Sequence, residues 1–173
     1  MRHRTDVHIR PTVETDTESF CDGINGIAKE KWYVATVEGF SLEQTRTFLK
    51  KIVENSLPQV VAVSEKIVVG WCDIIPRKTT GFMHIGTLGM GVRREWRRQG
   101  IGHRLLEACV PLARRAGVEK VELEVYSDNE GAVRLYERFG FKHEGLKVRG
   151  RKLEGRYQDI LLMALWLEGN NDA

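Results

Sequence analysis

The sequence predicts an α/β protein in which a mixed, mostly antiparallel sheet of about seven strands is flanked by four helices. Two patterns predict the elements: apolar and polar residues alternate in the strands, and apolar residues recur on one face of each helix. The predicted order is β-α-α-β-β-β-α-β-α-β-β. The strand–helix–strand succession in its middle implies one parallel pair in an otherwise antiparallel sheet.

The N-terminal half supplies one strand, two helices and a hairpin. Residues 7–13 alternate apolar and polar side chains, which predicts the first strand. A first capping box at residues 15–18 opens a helix to about Lys31, and a second box at 41–44 opens the next helix. Residues 59–75 hold two β-rich runs around a tight turn, which indicates a hairpin.

The C-terminal half continues with a helix over 100–116 and a half-buried strand over 121–125. A third capping box opens the helix predicted over 127–140, which ends at a glycine. Residues 141–148 and 157–167 then predict a closing hairpin around a polar turn.

The strand predicted over residues 82–92 is unusually rich in glycine, at positions 86, 89 and 91. Glycine weakens a strand because it loses more backbone entropy and packs no side chain. Three glycines in one strand therefore predict a bulge, or the close approach of another backbone.

Length and composition bound the function. The 173 residues suit one domain, residues 1–173 with a core over about 7–167, and 42% hydrophobic residues suit a globular protein. A net charge of +3 is too small to imply nucleic acid. No apolar run approaches a membrane span and no signal peptide is evident. Three scattered cysteines argue against a zinc site and fit a reducing cytoplasm, so we expect a cytoplasmic protein without metal.

The chemistry-bearing segment is Arg97-Arg98-Gln99-Gly100-Ile101-Gly102, which lies between a strand and an amphipathic helix. The first turn of a helix has unpaired N–H groups and a partial positive charge. The two glycines let a ligand approach that backbone, and the two arginines add charged donors. The segment predicts an anion site suited to a pyrophosphate, and it matches neither the Walker A loop nor the dinucleotide G-x-G-x-x-G pattern.

A second motif, N-x-x-A-x-x-L-Y-x-x-x-G-F, begins at Asn129 and ends at Phe141. Residues 92–102 match V-x-P-x-x-R-G-x-G-I-G, with Arg94 where proline is usual and Arg98 where glycine is usual. Neither departure removes a donor that the site needs. The two motifs together resemble the GNAT superfamily of N-acetyltransferases, and the resemblance covers residues 7–167 in element order.

The resemblance implies acetyl-CoA as the co-substrate, with no metal. The strand before the loop would splay from its neighbour, Met90 and Val92 would pair with the pantetheine arm, and Arg97 would bind phosphate or brace the loop. Asn129 would contact the arm, and Tyr136 would act as general acid for the leaving thiolate, since a phenol pKa of ~10 lies near a thiol pKa of ~8.5. The expected cofactor-binding residues are Met90, Gly91, Val92, Arg97, Arg98, Gln99, Gly100, Ile101, Gly102, His103, Asn129 and Tyr136.

The attacking amine needs a base, and the sequence offers Glu38, Asp73 and His84. Asp73 lies in an otherwise apolar strand, so it faces solvent or points into a site. His84 lies on the glycine-rich strand, as a base poised near neutral pH or as a polar residue on a wet face. Glu38 lies in a loop that is either an ordinary surface loop or an aromatic–acidic pocket for a cationic amine. The aromatic residues of that loop are Trp32, Tyr33 and Phe40.

The predicted activity is acetyl transfer from acetyl-CoA to a primary amine, by direct attack in a ternary complex without an acyl-enzyme. The expected acceptor is a small molecule: an amino acid or analogue, a polyamine or an aminoglycoside. Protein N-terminal acetylation and a non-catalytic CoA-binding module are the alternatives. Dimerisation is common in the superfamily, so a homodimer is one expected state. The basic tail over 142–156 is either a solvated hairpin or a surface that attracts an acidic acceptor or the coenzyme phosphates.

Overall fold

The computed structural model describes residues 6–167. The strands are β1 His8–Pro11, β2 Gln59–Ser64, β3 Ile67–Pro76, β4 Ile85–Val92, β5 Lys120–Tyr126, β6 Lys142–Leu153 and β7 Arg156–Trp166. The helices are α1 Thr17–Ala28, α2 Leu42–Glu54, α3 Ile101–Arg115 and α4 Glu130–Phe139. Short 3₁₀ turns occupy Glu14–Asp16 and Arg94–Trp96. The predicted element order is confirmed.

The seven strands form one sheet in the order β1-β2-β3-β4-β5-β7-β6. Every neighbouring pair is antiparallel except β4 and β5, which are parallel and joined through α3. The predicted mixed, mostly antiparallel sheet with one parallel pair is therefore confirmed.

The two faces of the sheet carry different helices. α3 and α4 contribute to the larger core on one face, here called the α3 face. α1 and α2 pack on the other, the α1 face, over a smaller core that includes Phe20, Leu49 and Trp71. Successive strand residues alternate between faces. Since Trp71 belongs to the smaller core and Cys72 to the larger, Asp73 lies on the α1 face.

The first predicted capping box is wrong. The chain makes a 3₁₀ turn before α1, and Thr15 lies inside that turn. The carboxylate of Asp16, held by the guanidinium of Arg10 at 2.7 Å, accepts the backbone N–H of Val13 at 3.0 Å instead. A carboxylate with a nearby cation therefore orders the start of this helix.

The second box is confirmed and the third is wrong. Ser41 Oγ accepts the N–H of Gln44 at 3.1 Å, and Gln44 Oε1 accepts the N–H of Ser41 at 2.8 Å. At the start of α4 the cap is Asn129, whose Oδ1 accepts the N–H of Ala132 at 3.3 Å. An amide two residues later thus takes the role predicted for Ser127.

The glycines of β4 were predicted to mark a bulge or the close approach of another backbone; β4 pairs with β3 in one continuous register, and side chains of β3 lie beside the three glycines. A Cβ on Gly86, Gly89 or Gly91 would lie 2.6, 3.0 or 2.4 Å from a neighbouring side-chain atom. Those atoms belong, in the same order, to Ile74, Asp73 and Trp71. The glycines therefore let large β3 side chains lie flat across β4.

Several strand boundaries differ from the prediction; β1, for example, covers His8–Pro11 and not residues 7–13. β4 begins at Ile85, because the N–H of Ile85 bonds back to the Phe82 carbonyl at 2.9 Å and closes a turn; His84 lies in that turn and not on the strand. β6 is longer than predicted and β7 begins one residue earlier, because the two strands are joined by a turn at Glu154 and Gly155 with φ of 50° and 80°. Such a two-residue turn continues both strands to their tips.

Within residues 6–167, no helix is both long enough and apolar enough to cross a membrane.

Candidate active site

A gap opens between β4 and β5 on the way to their carboxyl ends. The parallel pairing covers only three residue pairs and stops at Thr87 and Glu122. Beyond it β4 stays paired to β3 as far as Val92, and β5 stays paired to β7 as far as Tyr126. The two strands therefore diverge while each keeps its outer neighbour, which leaves backbone groups of both unpaired along the gap.

The backbone groups that face the gap from β4 belong to alternate residues. Arg93 donates its N–H to the Val69 carbonyl at 2.8 Å, and at the other end Arg77 donates to the Ile85 carbonyl at 2.9 Å. Odd-numbered β4 residues thus bond to β3, and because hydrogen-bonding direction alternates along a strand, Met90 and Val92 point toward β5. These two were expected from the sequence to pair with a pantetheine arm.

The loop after β4 offers a row of unpaired backbone donors. Among the described residues, no carbonyl or side chain accepts the N–H groups of Arg98, Gln99, Gly100, Gly102 or His103, and the first helical bond of α3 runs from Arg104 to Gly100. Gly100 has φ of 76° and begins the helix. Unpaired donors at a helix start form an anion site, here with the exposed Arg98 and Gln99 at its rim.

Arg98 adopts φ of 58°, in the left-handed region that favours glycine. It stands where the resembled family usually has glycine, and a residue with a Cβ is strained in this conformation. Gly102 has a packing reason as well as a binding one: a Cβ there would lie 2.9 Å from Leu135 Cδ2. Absence of that side chain lets α4 approach α3 closely.

Arg97 braces the loop and does not present a free guanidinium. Its Nε donates to the Val92 carbonyl at 2.8 Å, and its two Nη atoms donate to the Glu30 carboxylate at 2.9 and 2.6 Å. The guanidinium also stacks 4.4 Å from the ring centroid of Tyr33. Of its two expected roles, the contacts support bracing. They also occupy the Val92 carbonyl, so Val92 keeps only its N–H free toward the gap, whereas Met90 keeps both its N–H and its carbonyl.

Tyr136 lies on α4 over the α3 face. Its side chain is buried in the larger core, with the ring centroid 5.5 Å from that of Phe141. Burial raises the pKa of its phenol, and the neighbouring Cys72 thiol adds to the shift. The hydroxyl finds no protein acceptor in the described part of the chain, so it stays protonated and available as a donor.

A cavity of about 320 Å³ lies where the α1–α2 loop, the β5–α4 loop and the β6–β7 hairpin meet. Its lining residues are Trp32, Tyr33, Asp128, Asn129 and Arg156. Trp32 and Tyr33 were predicted for such a pocket, but the acid in it is Asp128. Glu38 and Phe40, also predicted for it, do not line it: Glu38 is exposed, and Asn25 anchors the backbone of Phe40 to α1.

A network of hydrogen bonds that the sequence did not predict supports this cavity. Arg151 Nη1 donates to the Lys31 carbonyl and to Gln158 Oε1, both at 2.7 Å. Gln158 Nε2 in turn donates to Asp128 at 3.0 and 3.1 Å. The guanidinium stacks 4.7 Å from the ring centroid of Tyr126. The network fixes the carboxylate of Asp128 and links three segments of the protein. No local sequence pattern predicts contacts between residues so far apart in sequence.

The three base candidates occupy different places. His84 precedes β4, and its carbonyl accepts the N–H groups of Glu119 and Lys120 at the closed end of the gap. About six residues of extended chain, roughly 20 Å, separate it from Met90. Asp73 lies beside the open end, across from Gly89.

The cysteines are placed as structural thiols. Cys72 and Cys109 are fully buried, and Cys109 Sγ donates to the carbonyls of Cys72 and Pro58 at 3.5 and 3.6 Å. Neither sulfur reaches the gap surface. Among residues 6–167, no group of three or more His, Cys, Asp or Glu side chains is arranged to hold a metal ion.

Comparison with known proteins points to one family. The profile of the acetyltransferase (GNAT) family matches residues 25–141. The L-amino acid N-acetyltransferase of Escherichia coli K12 is 28% identical over 109 residues, which are 62% of this chain and 67% of that protein. An N-alpha-acetyltransferase of Saccharolobus solfataricus is 34% identical over 128 residues, 68% of this chain and 74% of that protein.

A solved structure shares the fold and contains the co-substrate. The phosphinothricin acetyltransferase of Sinorhizobium meliloti, in complex with acetyl-CoA, superposes with a TM-score of 0.86 over 92% of this chain and 88% of that one. At 21% identity this likeness concerns the fold alone.

Proposed function

Because the chain belongs to the acetyltransferase (GNAT) family, we propose that it acetylates the primary amine of a small acceptor that carries a carboxylate: an amino acid or an analogue of one. As an N-acetyltransferase of this family it uses acetyl-CoA as co-substrate. The observation that carries the proposal is that two different binding surfaces lie next to the gap between β4 and β5. An anion loop flanks its open end, and a cavity with charges of both signs lies beside it.

The cofactor side follows from the unpaired donors. The N–H groups from Arg98 to His103 bind the pyrophosphate, and the gap-facing backbone of Met90 pairs with the pantetheine arm. When bound, acetyl-CoA supplies the acetyl group as a thioester. The N–H of Met90 stabilises the negative charge that develops on the thioester oxygen. Tyr136 supplies the proton that the sulfur takes when it leaves.

The acceptor side follows from the charges of the cavity. Asp128 and Arg156 lie 3.9 Å apart, with 43% and 63% of their side chains exposed, so both charges are accessible. A zwitterion presents an ammonium and a carboxylate at a similar spacing and pairs with both. A volume of about 320 Å³ is at the small end of ligand sites. The cations of the β6–β7 hairpin repel a polyamine or an aminoglycoside, and a relative named for L-amino acids agrees with this choice.

Acetylation of a protein N-terminus is the second candidate. The 34% identity to an N-alpha-acetyltransferase favours it. Trp32 and Tyr33 are 38% and 42% exposed, so the cavity is open enough for a chain to leave it. The two candidates differ in the carboxylate, because an N-terminal residue in a peptide has none beside its amine.

A matched acceptor panel tests the proposal through release of free thiol. Each amino acid is compared with its carboxamide, its decarboxylated amine and a short peptide that begins with it. We expect kcat/KM for the acid to exceed that for the carboxamide by about tenfold, the value of one charged contact. Arg156→Gln should remove that preference. Arg149→Gln is the matched control, an exposed arginine of the same hairpin that stacks on Tyr157.

With a polyamine and an aminoglycoside added to the panel, four outcomes would contradict the proposal. Equal turnover of acid and carboxamide rejects the carboxylate contact. Faster turnover of the peptide favours the second candidate, and faster turnover of a polyamine or aminoglycoside rejects the charge argument. Absence of thiol release with every amine makes the chain a binding module.

A further inference from the structure

The reaction needs a proton acceptor on the side from which the amine arrives. An α-amino group has an ordinary pKa of about 7.7–8, so much of it is protonated at neutral pH and cannot attack. The cavity that receives the acceptor is built from the α1–α2 loop, the β5–α4 loop and the β6–β7 hairpin. Tyr136 lies on the α3 face, so a second titratable group must serve the α1 face.

Few side chains can reach the gap from β4 on the α1 face. Gly89 and Gly91 have none, and the indole of Trp71 lies across Gly91. Asp73 lies across Gly89, with Oδ1 3.0 Å from the place a Cβ would take. Gly89 is two residues beyond Thr87, where pairing with β5 stops. The missing side chain therefore leaves the carboxyl of Asp73 beside the strand segment that borders the gap.

The other carboxylates near the gap already have partners: those of β5 on the α1 face pair with cations, and Asp128 of the cavity accepts from Gln158 Nε2 and lies 3.9 Å from Arg156. Glu122 pairs with Lys120 at 2.9 Å and with Arg77 at 2.6 Å, and these contacts lower its pKa. Glu124 pairs with Lys147 at 2.5 Å. A carboxylate neutralised by a cation is a weak base.

Asp73 has no such partner. Among residues 6–167 no cation forms an ion pair with it, and its one side-chain hydrogen bond is from Gln59 Nε2 at 3.4 Å. Burial raises its pKa to about 7, and the Gln59 contact opposes that shift. Its neighbours are Cys72 on its own strand, Gln59 on β2 and Gly89 on β4, and only the Cys72 thiol is titratable. Part of the residue remains exposed, so a proton can reach it.

We propose that Asp73 is the general base of the reaction, acting across Gly89 on the attacking amine directly or through one water. The assignment rests on the proposed function. The ammonium N–H bond breaks and its proton passes to the Asp73 carboxylate. The freed nitrogen lone pair forms the N–C bond, the C–S bond breaks, and the sulfur takes its proton from Tyr136. The amide nitrogen then loses its second proton to solvent, Tyr136 regains a proton from solvent and Asp73 releases its proton, which restores the enzyme with one net proton released.

Gln59 positions and tunes this base. It is 1% exposed, and its Oε1 has no partner in the described structure, so its one polar contact is with Asp73. An amide N–H stabilises the charged carboxylate. Its removal should raise the pKa of Asp73 further.

The test is the pH profile of Asp73→Asn with the amine panel. Wild-type kcat/KM should rise with pH through an apparent pKa near 7. The variant should lose about 10²- to 10⁴-fold at pH 7, with acetyl-CoA affinity within twofold, and should recover as pH deprotonates the amine itself. It should keep near-normal turnover of a weakly basic amine such as a hydrazide, which needs no base. Glu124→Gln and His84→Gln are controls that should keep the wild-type profile.

Two further readouts hold whether or not the variant is active. Gln59→Leu should move the acidic limb of kcat/KM to higher pH. The raised pKa also means that unfolding releases a proton between about pH 4 and 7, so the wild type loses stability as pH rises through that window. The free energy of unfolding of Asp73→Asn, taken relative to that of the wild type, should therefore be higher at pH 8 than at pH 5.

The outcomes separate this assignment from the proposed function. If Asp73→Asn turns over as fast as the wild type and keeps the acidic limb of the kcat/KM profile, the assignment of Asp73 is wrong but the proposed function stands. Loss of that acidic limb in Glu124→Gln has the same meaning. An unshifted limb in Gln59→Leu overturns it where Asp73→Asn does not fold. Absence of wild-type turnover for every amine rejects the proposed function itself.

Discussion

Replacement of Arg98 by glycine should stabilise the protein while it weakens acetyl-CoA binding. Arg98 has φ of 58°, and a left-handed conformation costs a residue with a Cβ about 1–2 kcal/mol. Glycine removes that strain but loses about 0.4–1 kcal/mol through its freer unfolded chain. The balance is a gain of about 0.5–1 kcal/mol in the free energy of unfolding. For a chain of 173 residues this raises Tm by about 1–4 °C.

The opposite effect on binding follows from the lost charge. The backbone N–H of residue 98 survives the substitution, so the row of donors stays complete. The exposed guanidinium beside the phosphates is lost, and an exposed charge contact contributes up to about 1 kcal/mol. We therefore expect the Kd for acetyl-CoA to rise about twofold to fivefold, and less at high salt, where the wild-type contact is screened.

Urea denaturation and calorimetric titration measure the two effects separately. Arg98→Ala is the matched control, because it removes the same charge but keeps the strained φ. It should weaken acetyl-CoA to the same extent without the gain in stability. A glycine variant no more stable than the alanine variant would refute the strain argument, and unchanged affinity at low salt in both would refute the phosphate contact.

Two further substitutions probe the proton donor and the brace. Tyr136→Phe should lower kcat about 10²-fold, with acetyl-CoA affinity unchanged. Because the hydroxyl has no protein hydrogen-bond partner among the described residues, its loss should barely move the urea midpoint; an unchanged kcat would make Tyr136 a packing residue. Glu30→Gln breaks a bidentate pair whose side chains are 19% and 25% exposed, so it should cost about 1 kcal/mol in urea denaturation. It should also raise KM for both substrates, since Arg97 joins the two loops; a change in the amine KM alone would contradict that link.

Features set by a few consecutive residues were predictable from the sequence. The helix start at Gly100 follows from local glycine, basic and apolar residues, and the helix end at Gly117 follows from a φ of 84° that glycine adopts readily. The same holds for the element order, because each strand and helix has its own periodicity. Capping was less predictable. The carboxylate of Asp16 accepts the N–H of Val13 while it is held by Arg10, a residue of another element.

Contacts between distant residues were not predictable. Arg97 finds Glu30 across 67 positions, and Arg151 finds the Lys31 carbonyl across 120. Many carboxylates could pair with a given arginine, and a single sequence does not show which of them the fold places beside it. For the same reason the acid of the predicted pocket was sought at Glu38 in the aromatic loop, whereas the cavity contains Asp128 from the β5–α4 loop.

Asp73 and His84 show how far periodicity alone can carry a site prediction. The right-handed crossover from β4 through α3 to β5 fixes which face α3 covers, so alternation along β3 could have assigned Asp73 to the other face. Nothing local states where the β4–β5 pairing ends. That one boundary, at Thr87, places His84 at the closed end of the gap and Asp73 beside the open end. In the proposed mechanism the base shares both the face and the end of the gap with the incoming amine. His84 fails the second condition, and Asp73 meets both because residue 89 has no side chain.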